Sequence, residues 1–188
     1  MPRIAILIGG IILSGCGADR SLSQIEQEMR SLDTLYLTAG SGKKITAAAT
    51  KGVFVDGESG ELCFPAYVCT NPECPGSQGD GQPFLFIHRD VMLRVGPGGE
   101  IVRDEMPQGR NPVDVIESRG GFANPTCPAC WEVRRGRPET QAMKQQFVEW
   151  AQPYTLPVAA ARKKELEDEY QRKAAAKSGS RRRSNVGR

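Results

Sequence analysis

The placement of the cysteines limits what this chain can fold into more than any other feature. Four of the six lie in two short segments, Cys69-Thr-Asn-Pro-Glu-Cys74 and Cys127-Pro-Ala-Cys130, with fifty-two residues between them. Two close-set pairs on separate turns can deliver four thiolates to the corners of a tetrahedron, and zinc accepts such a set at about 2.3 Å per sulfur. Asn71-Pro72, Cys127-Pro128 and Gly76 suit tight turns that point backbone N–H groups at sulfur, and Tyr67 and Trp131 lie beside the pairs as shields. With 21 glycines, 13 prolines and 6% aromatic residues, the chain cannot form one dense core throughout its 188 residues. A thin core needs a staple. Cys69, Cys74, Cys127 and Cys130 are therefore the expected ligands of a structural zinc ion. Iron is a lesser alternative at the same sulfurs, and disulfides or redox-active thiols are the main one.

The N-terminus supplies the compartment. Arg3 is followed by an apolar run from Ile4 to Leu13 and then by Ser14-Gly15-Cys16. The run is about ten residues, against roughly 20 for a membrane-spanning helix, and it contains Gly9 and Gly10. The segment Leu13-Ser14-Gly15-Cys16 resembles the lipobox of a bacterial lipoprotein. That resemblance implies removal of Met1 to Gly15, lipidation of Cys16, and attachment to the inner or outer membrane of the cell envelope, facing the periplasm or exterior. Gly17 follows the cysteine, which leaves the choice of membrane open. With Cys16 carrying lipid, five cysteines remain, and an odd number cannot be fully paired within one chain. Cys63, in Leu62-Cys63-Phe64, then reads as a small buried hydrophobe. Export exposes thiols to oxidation, so the compartment favours disulfides while the spacing favours a metal.

Hydrophobic spacing sets the remaining elements. Leu22, Ile25, Met29, Leu32 and Tyr36 recur at intervals of three and four, predicting an amphipathic helix over 21–36 with a capping box at Ser21 and Gln24 or at Ser23 and Glu26. Ala39 to Lys51 reads as a linker. Its Gly40-Ser41-Gly42-Lys43-Lys44 is no phosphate-binding loop, because the first glycine of that pattern falls at Leu37 and Lys44 replaces the magnesium-binding hydroxyl. Val53 to Val55, Leu62 to Val68, Phe84 to Ile87, Val91 to Val95 and Ile101-Val102 read as short strands, with a turn at Gly96-Pro97-Gly98-Gly99. After Gly136-Arg137-Pro138, Met143, Phe147 and Trp150 mark a helix that Pro153 and Pro157 interrupt. Val158 to Lys177 predicts a solvated helix supported by charge pairs four apart, and the chain from Ser178 is expected to be disordered. Lysine and arginine contribute +7 after Tyr170, so against a total of +3 the rest of the chain carries −4.

The region from Tyr67 to Val133 resembles a zinc ribbon, with looser similarity to rubredoxin-like knuckles. It departs from them in the four residues inside its first pair and in its long insert. The expected fold class is α+β: a small antiparallel zinc-ribbon-like β domain over 51–136, flanked by a tether, helix and linker over 16–50 and a helical extension over 137–177. A signal peptide at 1–15 and a basic tail at 178–188 complete the organisation. No catalytic constellation stands out, and the expected function is a non-enzymatic, membrane-anchored binding or scaffold module for a protein partner. One alternative is a periplasmic thiol oxidoreductase using Cys127 and Cys130. That motif normally opens a helix, whereas Trp131-Glu-Val-Arg-Arg-Gly136 reads as a strand and turn. The other alternative, a cytosolic nucleic-acid-binding zinc ribbon, requires the lipobox to be a false match. His88, the sole histidine, reads as structural or exposed, and without a second one the familiar hydrolytic zinc sites are excluded. Arg181, Arg182 and Arg183 either contact a polyanion or serve solubility; an envelope location argues against nucleic acid.

Overall fold

The computed structural model describes residues 20–79, 81–122, 124–134 and 141–184. The expected lipobox at Leu13 to Cys16 and the expected break at Gly136-Arg137-Pro138 lie outside those residues. The chain folds as a mixture of helix and antiparallel sheet, with helices from its two ends flanking a curled sheet.

Helix α1 (Leu22–Ser31) starts as the sequence predicts. The Ser21 hydroxyl accepts the Gln24 N–H at 3.2 Å and the Gln24 side chain accepts the Ser21 N–H at 2.7 Å. This capping box satisfies donors that a helix start leaves unpaired. The helix ends five residues earlier than the spacing implies, because Leu32 turns the chain into an extended conformation and Tyr36 falls in strand β1 (Asp33–Thr38). Leu35, Tyr36 and Leu37 suit a pleated surface, and pairing with neighbours on both edges outweighs the heptad-like spacing. The expected linker is also corrected, since β2 (Lys44–Ala48) pairs antiparallel with β1, Leu35 opposite Thr46. Its small residues disguise a strand that Ile45 and Thr46 support. Gly42, at φ 67°, takes the left-handed position in the intervening turn.

Strands β3 (Phe54–Val55), β4 (Leu62–Cys69), β5 (Leu85–Ile87), β6 (Leu93–Val95) and β7 (Ile101–Arg103) follow the predicted runs closely. The last two form a separate hairpin across the Gly96 to Gly99 turn, which Gly96 N–H closes on Glu100 C=O at 2.8 Å. Strand β4 organises the main sheet. Its first half pairs with β1 and β3, and its second half with β5 and with β8 (Ala151–Pro153). Pro65 sits where one edge changes partner, after β3 pairs at Cys63 and before β5 pairs at Ala66. A residue without an N–H is tolerated at such a gap. The sheet thus draws on segments before residue 51 and after residue 136, on both sides of the span assigned to the β domain.

Four α-helices follow β7 among the described residues. Helix α2 (Pro112–Ser118), which the hydrophobic pattern did not reveal, begins with Asn111 accepting the Val113 N–H and with proline at its first position. Helix α3 (Pro128–Arg134) replaces the expected strand and turn after Cys130. Proline at a first helical position has the right φ and loses no hydrogen bond, so Cys127-Pro128 launches a helix despite its β-like residues. Helix α4 (Gln141–Trp150) leads directly into β8.

Helix α5 (Pro157–Ser184) continues through Ser178, where disorder was expected. Ala174 to Ala176 and the arginines favour helix, and Gly179 alone costs only about 1 kcal/mol. The helix also has a packed face, contrary to expectation: Leu166 is fully buried, Ala159 nearly so, and α1 contributes Ile25. Among the described residues, no helix is long and apolar enough to cross a membrane.

Candidate metal centre

Cys69 occupies the last position of β4, fastened along both edges. Its N–H donates to Phe84 C=O at 3.0 Å, and the next N–H, of Thr70, donates to Trp150 C=O at 2.9 Å. The chain then turns sharply. The Asn71 side-chain oxygen accepts the Glu73 N–H at 3.0 Å, Asn71 C=O accepts the Cys74 N–H at 3.0 Å, and a 3-10 turn over Pro75–Ser77 follows. The second pair is set by a helix start: Cys127 C=O accepts the Trp131 N–H at 3.0 Å, so Cys127 directly precedes α3 and Cys130 lies in its first turn. Both loops therefore bend where their prolines permit.

These local turns bring the four sulfurs together. Cys69 Sγ lies 3.6 Å from Cys130 Sγ, Cys74 Sγ lies 3.7 Å from Cys127 Sγ, and all four are within 4.8 Å of one another. Each close approach joins one loop to the other. None of the four is in a disulfide. A regular tetrahedron of sulfurs about 2.3 Å from a central ion has edges of about 3.8 Å, and the two shortest separations match it. Bonded sulfurs would stand at about 2.05 Å. The four cysteines can accordingly bind a metal.

The surroundings fit that chemistry. The cysteines are 4% exposed or less, enclosed by Phe86, Phe147 and Ala151, with Tyr67, Phe84, Ala129, Trp131 and Trp150 packed outside. Trp131 meets Phe147 edge-on at 6.1 Å between ring centres, and Phe147 meets Trp150 at 5.8 Å. Inside this apolar shell, backbone N–H groups of Asn71, Gly76 and Cys130 donate to the sulfurs of Cys69, Cys74 and Cys127 respectively. The Asn71 side-chain amide adds a donor 3.4 Å from Cys130 Sγ. Gly76 has a steric requirement as well, because a Cβ there would fall 2.4 Å from the Phe84 ring.

Burial works against ionisation in the metal-free protein. It pushes the Cys69 thiol up to about 12, overcoming the Asn71 N–H, and raises Cys127 likewise, with the neighbouring cysteines adding to the effect. At Cys74 burial acts in the same direction, but the Gly76 N–H and donation from the three neighbouring cysteines outweigh it and bring the thiol below its ordinary value. A cation at the centre would relieve the penalty on Cys69 and Cys127 together.

Two other residues stand apart. Cys63 is fully buried in β4, as its apolar neighbours predict, and its thiol donates to Glu61 C=O at 3.8 Å; burial raises its pKa. His88 follows β5, partly buried, and burial lowers its pKa against an opposing pull from Asp90. Neither joins the cluster, and among the described residues no other cysteine, histidine or acidic group forms part of it. Sequence reasoning missed Asn71 as a sulfur donor and Phe84, Phe86, Phe147 and Trp150 as the shell. The proximity of Trp150 to Cys69 arises only through β8 pairing with β4. No family model, curated protein or solved structure matches the chain.

Proposed function

We propose that Cys69, Cys74, Cys127 and Cys130 hold a structural zinc ion, and that the chain is a lipid-anchored, non-enzymatic binding module of the cell envelope. The observation that carries the metal reading is the set of four buried, unpaired sulfurs at tetrahedral spacing. Four protein ligands close the coordination shell, leaving no position for a reacting water, and closure of this kind goes with structural sites. The ion would substitute for missing core by tying β4 and its following turn to α3. The lipid anchor is supported by the lipobox-like Leu13-Ser14-Gly15-Cys16.

The start of α3 directly after Cys127 favours one part of the thiol oxidoreductase reading. The rest of the environment does not. A working nucleophilic thiol is accessible and has a lowered pKa, whereas Cys127 is fully buried with its pKa raised. Alkylation separates the two readings. The zinc reading expects all four cysteines to resist alkylation until a chelator is added and then to react together. Rapid modification of Cys127 alone, without chelator, would instead support redox chemistry. Lipid attachment is tested separately, by mass measurement of the N-terminal peptide from envelope fractions of cells producing the full chain or its Cys16→Ser variant. An unlipidated Cys16 peptide rejects the anchor.

A further inference from the structure

The packing of α1 on α5 gives the molecule an electrically marked end. Late in α1, Glu28 pairs with Arg162 near the start of α5, while Arg20, just before α1, pairs with Glu169. The Lys173 ammonium donates to Arg20 C=O. The helices therefore run antiparallel, and α5 continues from Lys173 to Ser184 beyond the point where α1 begins. Eleven further helical residues extend about 16 Å. The charges divide at the same place. The acids of α5, Glu165, Glu167, Asp168 and Glu169, all precede Tyr170, and the remaining helix carries Arg172, Lys173, Lys177, Arg181, Arg182 and Arg183 without an acid.

Arg20 is only four residues from Cys16, a reach of at most about 14 Å. The basic end of α5 thus projects from the end of the molecule at which Arg20 stands, and the tether to the proposed anchor begins there. We propose that this end is a membrane-docking face, with the last turns of α5 lying against anionic lipid headgroups beside the anchor. The setting, though not the charge geometry, rests on the lipid-anchor reading above. A polybasic patch beside an acyl chain strengthens an attachment that one chain makes only weakly. After Tyr170 the helix has no large apolar residue, so the contact is electrostatic and salt-sensitive, without insertion into the bilayer.

The test uses the full chain bearing Cys16→Ser, which removes lipid from the measurement, with and without Arg181→Gln, Arg182→Gln and Arg183→Gln together. Binding is measured to phosphatidylcholine vesicles and to vesicles with about one-third phosphatidylglycerol. Each basic residue near such a surface is worth roughly fivefold, so the triple variant should lose at least ~10-fold in affinity for the anionic vesicles and little for the neutral ones. The unsubstituted arginine run should also lose binding as salt rises. Equal affinity for both vesicles, indifference to the arginine substitutions, or stronger binding to duplex nucleic acid than to anionic vesicles would overturn the proposal. Because lipidation and zinc are not read by this assay, its failure is distinguishable from failure of either.

Discussion

Asn71 joins the two halves of the cluster at the level of a single residue. Its backbone N–H serves Cys69 while its side-chain amide reaches Cys130 from the other loop. Groups that hold metal ligands through hydrogen bonds commonly contribute 10- to 100-fold in affinity. Asn71→Ala should lower zinc affinity by about that factor while leaving four ligands, as competition with a chromogenic chelator would measure; unchanged affinity would remove Asn71 from the site. The thiols also set a pH dependence. Metal-free Cys69 keeps its proton up to about 12, whereas an unfolded thiol releases it near 9.0. The unfolded chain therefore binds fewer protons between these values, so the metal-free fold loses stability as pH rises through that window and gains no pH dependence from this group below it. Melting in excess chelator from about pH 9 to 11, above the range in which the lowered Cys74 thiol acts with the opposite sign, checks this; a melting temperature that climbs would be contrary. The ligand cysteines were legible in the sequence because each pair is local and its prolines announce a turn. Asn71 as a donor was not, since its acceptor lies fifty-nine residues away.

Among the elements, α1 illustrates both the reach and the limit of local signals. Its start is encoded by the reciprocal Ser21 and Gln24 bonds, and Ser21→Ala should cost about 1 kcal/mol. The expected result is a lower melting temperature with faster amide exchange in α1 and in the part of α5 packed on it. Exchange confined to the first turn would show that the two helices are not coupled. Its end was hidden because Leu32 and Tyr36 continue the helical spacing, and only the pairing of β1 with β2 and β4 reveals a strand. At α3 the useful signal, proline after Cys127, was present but masked by Trp131 and Val133. The same Asn111-Pro112 signature marked α2. Helix starts are written in a few adjacent residues, whereas the choice between strand and helix in a short apolar run depends on distant neighbours.

For the molecule as a whole, the thin core predicted by composition is divided. One cluster surrounds the cysteines, and a second gathers Leu35, Leu37 and Ala66 with Leu85, Ile87, Tyr154 and Leu156. Strand β4 runs through both, with Ala66 in one and Cys69 in the other. The α+β class and most strands were readable from periodicity, yet the sheet's inclusion of β1, β2 and β8 was not, because those contacts cross long stretches of chain. The cysteine cluster occupies the half where β4, β8 and α3 meet, so the ion would fasten these elements from within their shared apolar shell. Trp131 and Trp150, the only tryptophans, both border it, which makes their emission a reporter of its integrity. On the metal reading, this half is built around a bound ion. Metal content and thiol state, measured together on protein purified without added zinc, test it most directly. The expected result is about one zinc per chain, with Cys69, Cys74, Cys127 and Cys130 titrating as free thiols once a chelator is present; a metal-free chain whose four cysteines are linked in disulfides would contradict it.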